Sequence, residues 1–81
     1  MQIDYSYKAR EWLHSLPPHI ENRILEKMRF YASQPDPLVF AKYIPEKESC
    51  RFRVGNYRIL FEIKNHTIEV SKVERRDKVY D

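Results

Sequence analysis

The sequence has too little cysteine for the disulfides that stabilise small secreted proteins, and it has no apolar run long enough to cross a membrane. Its one cysteine, Cys50, cannot form an internal disulfide and is too isolated for a zinc site. No segment approaches the ~18 apolar residues of a membrane span, and the N-terminus has no apolar signal region. No His, Cys or Asp cluster has the spacing of metal ligands. We therefore expect a cytoplasmic protein that needs no metal or cofactor and does not enter a membrane.

The length of 81 residues is enough for one small domain, which we expect to span 1–81. Its net charge of +3 is unevenly distributed. Residues 1–50 carry seven Lys/Arg and seven Asp/Glu, whereas residues 51–81 carry eight and five. A basic last third favours a polyanion or an acidic protein as partner, although a basic surface that serves only solubility fits the charge count equally well.

Apolar spacing predicts a short first strand at MQIDYS and then two helices. The first helix, over 7–16, has apolar residues at i, i+3, i+4 and i+7. Pro17 and Pro18 end it and can open the next helix, because proline is tolerated in a first helical turn. The second helix, over 18–33, also has one apolar side. The pair is expected to form a helical hairpin.

Three prolines interrupt the segment SQPDPLVFAKYIPEKES, which we predict to be a loop. After it the apolar period changes to two, as in strands, and Gly55-Asn56 between two such runs predicts a type II′ hairpin turn. Asn65-His66 predicts a second turn, into the last strand TIEVSKV. The order β-α-α-β-β-β predicts an α+β fold, in which a small antiparallel sheet carries the helical hairpin on one face.

Arginines crowd one face of the predicted hairpin. A two-residue loop sets Arg53 opposite Arg58, with Arg51 two residues along on the same face, while Phe52 and Ile59 share the face that can take the helices. Directly opposed like charges are mildly destabilising in a sheet. Arginine forks are suited to phosphate or carboxylate, so an anion supplied by a ligand would relieve the repulsion. The alternative is that the three arginines are simply solvated.

The C-terminal run KVERRDKVYD adds further candidates for the same face. Arg75, Arg76 and Tyr80 come just after the predicted last strand, where they could reach the arginines. Basic residues beside an aromatic ring are the usual parts of a single-stranded nucleic-acid contact, with charge for the phosphates and the ring for stacking. The alternative is that Tyr80 has only a structural role and holds the end of the chain in place.

The segments RFRVGNYRILFEI and TIEVSKVERRDKVYD resemble the RelE/ParE superfamily of bacterial and archaeal toxins. The family pattern is an R-x-R-V-G-x-Y-R hairpin followed by a strand and a closing R-x-x-V-Y. Upstream, EWLHSLPPHIENRILEKM is similar to the helical hairpin of the family, and DPLVFAKYI to its middle loop. The resemblance implies the toxin of a type II toxin–antitoxin pair. The RelE branch of the family cuts mRNA in the ribosomal A site, and the ParE branch inhibits DNA gyrase.

The resemblance also implies roles for individual residues. Arg58 matches the hairpin arginine that the RelE branch uses on the scissile phosphate. Arg76 matches the tail arginine of the active site, and Tyr80 matches the closing tyrosine that orients or stacks on the substrate. Arg51 and Arg53 fall where the family has basic residues lining the substrate groove.

Several positions depart from the family pattern. Ser49 stands where some RelE proteins carry a lysine implicated in proton transfer, and Arg75 and Glu74 stand where many relatives have His and Gly. Arg75 remains a candidate for RNA binding because of its charge. The only residues that ordinarily titrate near neutrality fall on the helical hairpin and in a distal turn: His14, His19 and His66. No side chain is an evident general base.

The expected function is that of a metal-independent, ribosome-dependent mRNA endoribonuclease, with attack by a ribose 2′-OH leaving a cyclic phosphate. Its expected partners are a cognate antitoxin, the ribosome and mRNA. Arginine can stabilise phosphorane charge but transfers protons poorly, so much of the rate is expected from positioning by the ribosome. The alternatives are a ParE-type gyrase inhibitor and a non-catalytic RNA- or antitoxin-binding module, since an acidic antitoxin segment would also relieve the arginine repulsion.

Overall fold

Two helices follow the first strand, and four further strands complete a sheet. The computed structural model describes residues 1–75. The main elements are, in chain order, β1 (Gln2–Tyr5), α1 (Tyr7–Ser15), α2 (Pro18–Ser33), β2 (Lys42–Ile44), β3 (Ser49–Val54), β4 (Tyr57–Lys64) and β5 (Thr67–Arg75). Short 3₁₀ helices at Pro37–Phe40 and Pro45–Lys47 flank β2. None of the helices in this part of the chain is long and apolar enough to cross a membrane.

The strands form one sheet in the order β1-β5-β4-β3-β2. Neighbours are antiparallel except β1 and β5, which run parallel, so the prediction of a wholly antiparallel sheet was wrong and the sheet is mixed. The predicted loop was wrong over Lys42–Ile44, where β2 pairs with β3. The prolines of this segment flank the strand and leave its backbone donors free for the ladder. The α+β class, with both helices packed on the sheet, is confirmed.

Local sequence explains where the helices begin. The Ser6 hydroxyl accepts a hydrogen bond from the Ala9 backbone N–H at 3.0 Å, which caps α1. The Ser6 backbone N–H donates to the Val70 carbonyl at 2.9 Å, so the start of α1 is tied to β5. Pro18 is the first residue of α2, where its fixed φ and missing N–H carry no cost. The start of α1 is therefore anchored next to β5, the second strand of the sheet.

The two tight turns fix the strand register. Gly55 has φ +60°, and Asn65 and His66 have φ +51° and +59°, so both predicted two-residue turns are confirmed. In the first hairpin Arg53 lies opposite Arg58, as predicted. In the second, β5 has a bulge where the register shifts between Leu60 and Phe61 of β4, and this shift decides which residues meet Arg58.

The core lies between the helices and one face of the sheet, here called the inner face. Its centre is a column of three rings: Phe52 stacks on Tyr31 of α2 on one side and on Phe61 on the other, with centroids 4.2 Å apart in each pair. Aliphatic side chains from both helices and from β3, β4 and β5 surround the column: Ala9, Leu13, Ile24, Met28, Val54, Ile59, Ile68, Val70 and Val73. The opposite, outer face of the sheet is left for charged side chains.

Candidate functional site

Cations form two rows across the outer face of the sheet. In the first row Arg53 of β3 lies opposite Arg58 of β4. The second row crosses four strands and consists of Lys42, Arg51, Leu60 and Lys72. Alternation along each strand puts both rows on the face opposite the core. Lys72 Nζ also lies 5.7 Å from the centroid of the Trp12 ring of α1. The structure thus brings together three of the predicted site residues, Arg51, Arg53 and Arg58, and adds two lysines that the sequence reasoning missed.

Leu60 is the one apolar residue of these rows, and it is only 3% exposed although it lies apart from the main core. Its cross-strand neighbours are Arg51 and Lys72. Long cationic side chains can lay their aliphatic stems over an apolar neighbour and keep the charged head in water. Leu60 therefore offers the aliphatic stems of Arg51 and Lys72 an apolar neighbour on the sheet.

Arg58 has an anionic partner within the chain. Glu74 of β5 is its directly opposed neighbour, and Arg58 Nη2 donates a hydrogen bond to Glu74 Oε2. The same carboxylate also approaches two lysines, with Oε1 3.3 Å from Lys72 Nζ and 3.9 Å from Lys47 Nζ. The repulsion between Arg53 and Arg58 is thus offset by a carboxylate of the protein, which the sequence reasoning did not consider as an anion for this face.

The Arg58 guanidinium is only partly satisfied by this pair. Its Nε is buried and makes no hydrogen bond within the part of the chain described. A buried donor without an acceptor costs free energy and is uncommon in native proteins. The arginine side chain as a whole is 36% exposed, as against 17% for Glu74, so Arg58 is the more accessible member of the pair.

The ionisation of Glu74 reflects these surroundings. Burial disfavours the charged carboxylate, but hydrogen bonds from Arg58 and Lys72, together with the charges of Arg58 and Lys47, outweigh it and hold the pKa of Glu74 below its usual value. Glu74 is therefore an anion at neutral pH and a weak proton acceptor. This makes it a poor general base, in spite of its position beside Arg58.

The lowered pKa of Glu74 predicts a pH-dependent contribution to stability. A carboxyl group whose pKa is lower in the folded state stabilises the fold at pH values above its unfolded pKa, and the contribution is lost as the pH falls through the folded pKa. The free energy of unfolding of the wild type minus that of Glu74→Gln should thus be constant near neutral pH and decrease below pH 4.5. Urea denaturation at a series of pH values measures this difference. Glu69→Gln, on the same strand, is the control, and an equal acid dependence in both variants would contradict the prediction.

Of the other predicted site residues, Arg75 alone lies within the described part of the chain. Arg75 is the last residue of β5 and pairs with Tyr57, so its register position belongs to the inner face and the structure does not bring it to the arginines. The expectation that Arg75 follows the last strand was wrong, because the bulge lengthens β5. Arg76 and Tyr80 lie outside the described residues.

The histidines lie away from the cation rows. His14 is on α1, where its Nδ1 is 3.2 Å from a Glu21 carboxylate oxygen of α2. His19 is on α2, and His66 is in the turn at the far end of β4 from Arg58. Within residues 1–75, no histidine is on the face that carries Arg58.

Carboxylates occupy the other end of the outer face. Asp4, Glu69 and Glu62 form one row across β1, β5 and β4. In the part of the chain described, no group of three or more His, Cys, Asp or Glu side chains has an arrangement that could hold a metal ion. The outer face is thus positive near the Gly55 turn, and toward the Asn65 turn it carries this carboxylate row together with Lys64, so a polyanion should favour the half near Gly55.

Comparison with known proteins places the chain in a family. A family model described as the ParE toxin of the type II toxin–antitoxin system, parDE, matches residues 3–80. The structure is similar to one in the RelBE2 toxin–antitoxin complex of Mycobacterium tuberculosis, with a TM-score of 0.77 and 28% identity over 93% of this chain and 96% of that one. It also shares its fold with a chain of the archaeal RelE–RelB complex of Pyrococcus horikoshii, with a TM-score of 0.74 and 21% identity over 96% and 97% of the two chains. No curated protein gives a significant match. The chain belongs to the ParE toxin family, within the RelE/ParE superfamily of type II toxins.

Proposed function

We propose that this toxin is a ribosome-dependent endoribonuclease that binds mRNA on the outer face of its sheet and cleaves it in the A site. The observation that carries the proposal is the gathering of Arg51, Arg53 and Arg58 on a face that the core does not use. The side chains of Arg58 and Lys72 are 36% and 41% exposed, so each is partly accessible from solvent. Arginine forks and lysines in rows suit the backbone of a single RNA strand.

The chemistry assigned to this face is transesterification within the RNA. The ribose 2′-oxygen bonds to the adjacent phosphorus, the bond from phosphorus to the 5′-oxygen breaks, and a cyclic phosphate remains. One proton leaves the 2′-OH and one reaches the departing 5′-oxygen. Arg58, with Arg76 by resemblance, is assigned to the developing phosphorane charge, and Tyr80 to orienting the substrate.

The absence of a suitable base beside Arg58, in the part of the chain that is described, supports dependence on the ribosome. Glu74 is held as an anion by its cationic partners, and the histidines are on other parts of the fold. Holding the 2′-oxygen in line with the phosphorus can contribute on the order of 7–11 kcal/mol at best. The ribosome is assigned this positioning, so cleavage of free RNA should be weak.

A cognate antitoxin is the proposed protein partner, and the bacterial or archaeal cytoplasm the proposed location. One solved structure of similar fold is described as the toxin–antitoxin complex RelBE2, and another as a RelE–RelB complex. The positive half of the outer face gives an acidic antitoxin segment the same complement of cations as it gives RNA. An antitoxin bound there would inhibit the toxin by covering Arg58.

Inhibition of DNA gyrase is the second candidate. It is favoured by the family match, which is to a ParE toxin, and by the internal neutralisation of Arg58 through Glu74. A gyrase inhibitor does not require a phosphate to reach Arg58. In that case the outer face would bind protein and the Arg58–Glu74 pair would remain intact in the complex.

The two candidates are separated by comparing the wild type with Arg76→Ala in two assays. We expect primer extension on mRNA from a cell-free translation reaction to show new 5′ ends within translated codons. These ends should be absent with Arg76→Ala and absent without ribosomes. DNA supercoiling by gyrase should be unaffected. Uncut mRNA together with inhibited supercoiling would overturn the nuclease proposal in favour of gyrase, and equally efficient cutting of naked RNA would overturn the dependence on the ribosome.

A further inference from the structure

We propose that Glu74 is an internal competitor of the RNA phosphate for Arg58, and that it thereby sets the affinity of the toxin for its substrate. The inference rests on the proposed function, because it takes the RNA backbone as the ligand of this face. It concerns a residue that the family resemblance marks only as a departure from the family pattern.

The contacts of Glu74 distinguish it from the other carboxylates of the outer face. Three cations converge on it, with Arg58 donating a hydrogen bond and Lys72 and Lys47 within 4 Å. Glu62 has one cation near it, Lys64 at 3.9 Å, and is 52% exposed. Glu74 is 17% exposed. It therefore lies inside the cation cluster, whereas the other carboxylates lie at the opposite end of the face.

A carboxylate and a phosphate use the same donors on a guanidinium. The two-pronged edge of arginine consists of Nε–H and one N–H of Nη2, and it matches two oxygens of one anion. Glu74 takes only the Nη2 donor, and Nε is buried without an acceptor in the part of the chain described. A phosphate that displaced the carboxylate could engage both donors of this edge. The existing pair thus satisfies Arg58 less fully than a phosphate would.

Exchange of the two anions also changes the charge of the cluster. With Glu74 in place, Arg58, Lys72 and Lys47 share one negative charge, which lowers the local attraction for the RNA backbone. When a phosphate takes Arg58, the Glu74 carboxylate can stay with the two lysines, because both approach its other oxygen, Oε1. The lysines thus give the displaced carboxylate a place to remain, and the exchange needs rotation of one side chain without rearrangement of the sheet.

The inference is tested by the affinity of Glu74→Gln for RNA. The probe is a fluorescein-labelled single-stranded RNA with 2′-O-methyl groups, which cannot undergo attack by a 2′-OH, and binding is followed by fluorescence anisotropy. Glu74→Gln should bind about five- to tenfold more tightly than the wild type at low salt. The dependence of its binding on salt should be steeper by about 0.7 in the logarithmic slope, because one more cation is free to meet a phosphate.

Glu69→Gln is the matched control, because it removes the same charge from the same strand and the same face, at the opposite end. It should change the affinity less than twofold. Glu74→Asp covers the case in which Glu74→Gln fails to fold: it keeps the charge but shortens the reach to Arg58, and its affinity should lie between those of the wild type and Glu74→Gln. An affinity of Glu74→Gln equal to that of Glu69→Gln, or lower than that of the wild type, would overturn the inference and make Glu74 a positioning residue for Arg58.

The signal of Arg58 Nε in nitrogen-edited NMR spectra reports whether the phosphate reaches the Nε–H of this arginine. On addition of the same RNA this signal should shift in the wild type, and it should shift at a lower RNA concentration in Glu74→Gln.

The outcomes of these experiments also separate the competition by Glu74 from the proposed nuclease function. Cleavage of mRNA by the wild type without a gain in affinity for Glu74→Gln removes the competition alone, and tighter RNA binding by Glu74→Gln without cleavage by the wild type removes the nuclease function alone.

Discussion

Arg58→Lys is expected to lower ribosome-dependent cleavage of mRNA by about a hundredfold or more, although it retains the positive charge. Lysine offers a point charge where arginine offers two fixed donors in one plane, and the proposed stabilisation of the phosphorane depends on that geometry. The measurement is single-turnover cleavage of mRNA on programmed ribosomes, read by primer extension. The fold should survive, because lysine keeps a positive charge beside Glu74 and so does not leave this partly buried carboxylate unpaired.

Arg10→Lys is the control for this experiment, because it makes the same chemical change at an exposed position of α1, outside the sheet. It should cleave at the rate of the wild type. A rate for Arg58→Lys within a fewfold of the wild type would show that Arg58 supplies charge alone and does not orient the phosphate. Unchanged toxicity with no cleavage in either protein would point to gyrase as the target.

The register of the first hairpin could be predicted because its determinants are local. The chain has a single glycine, Gly55, and the alternation of apolar residues on both sides of it leaves one pairing that buries all of them on the same face. The same pairing forces Arg53 and Arg58 together. This part of the candidate site follows from sequence because it lies within one tight turn.

The partner of Arg58 was missed because it depends on a bulge. An unbroken ladder from the Asn65-His66 turn would set Val73 opposite Arg58, whereas the bulge brings Glu74 there. A signal for the bulge is present: Ile68, Val70 and Val73 are all buried, at spacings of two and then three. An alternating strand cannot put three such residues on one face without an extra residue between the last two. Attention to this spacing would have predicted the pair.

The mixed sheet had no comparable signal. The parallel pairing of β1 with β5 joins residues more than sixty positions apart, and nothing in the short segment Gln2–Tyr5 indicates its partner or direction. β2 has three residues, which is too few to show a period of two. Each of these strands forms by pairing with an open edge of the sheet. Which edges are open depends on the assembled fold, so a short local segment does not show it.

Phe52→Ala is expected to cost about 3–5 kcal/mol in the free energy of unfolding. Phe52 is fully buried and stacks on Tyr31 and Phe61, with interplanar angles of 15° and 13°. Its removal leaves a cavity and breaks the ring contact between α2 and β3 as well as the one between β3 and β4. A small domain has about 5–15 kcal/mol in total, so this variant should be close to unfolding. Urea denaturation followed by circular dichroism measures the loss.

Phe30→Ala makes the same truncation in a ring that is 46% exposed and meets Tyr31 edge-on at 5.8 Å, and it should cost about 1 kcal/mol or less. Phe52→Leu, which preserves most of the volume, should fall between the two and remain measurable even if Phe52→Ala does not fold. Equal losses for Phe52→Ala and Phe30→Ala would contradict a core centred on the three-ring column. Arg51 and Arg53 flank Phe52 on β3 and project to the other face. Loss of Phe52 should therefore also disturb the positions of the two arginines, so the three-ring column and the proposed RNA site depend on the same strand.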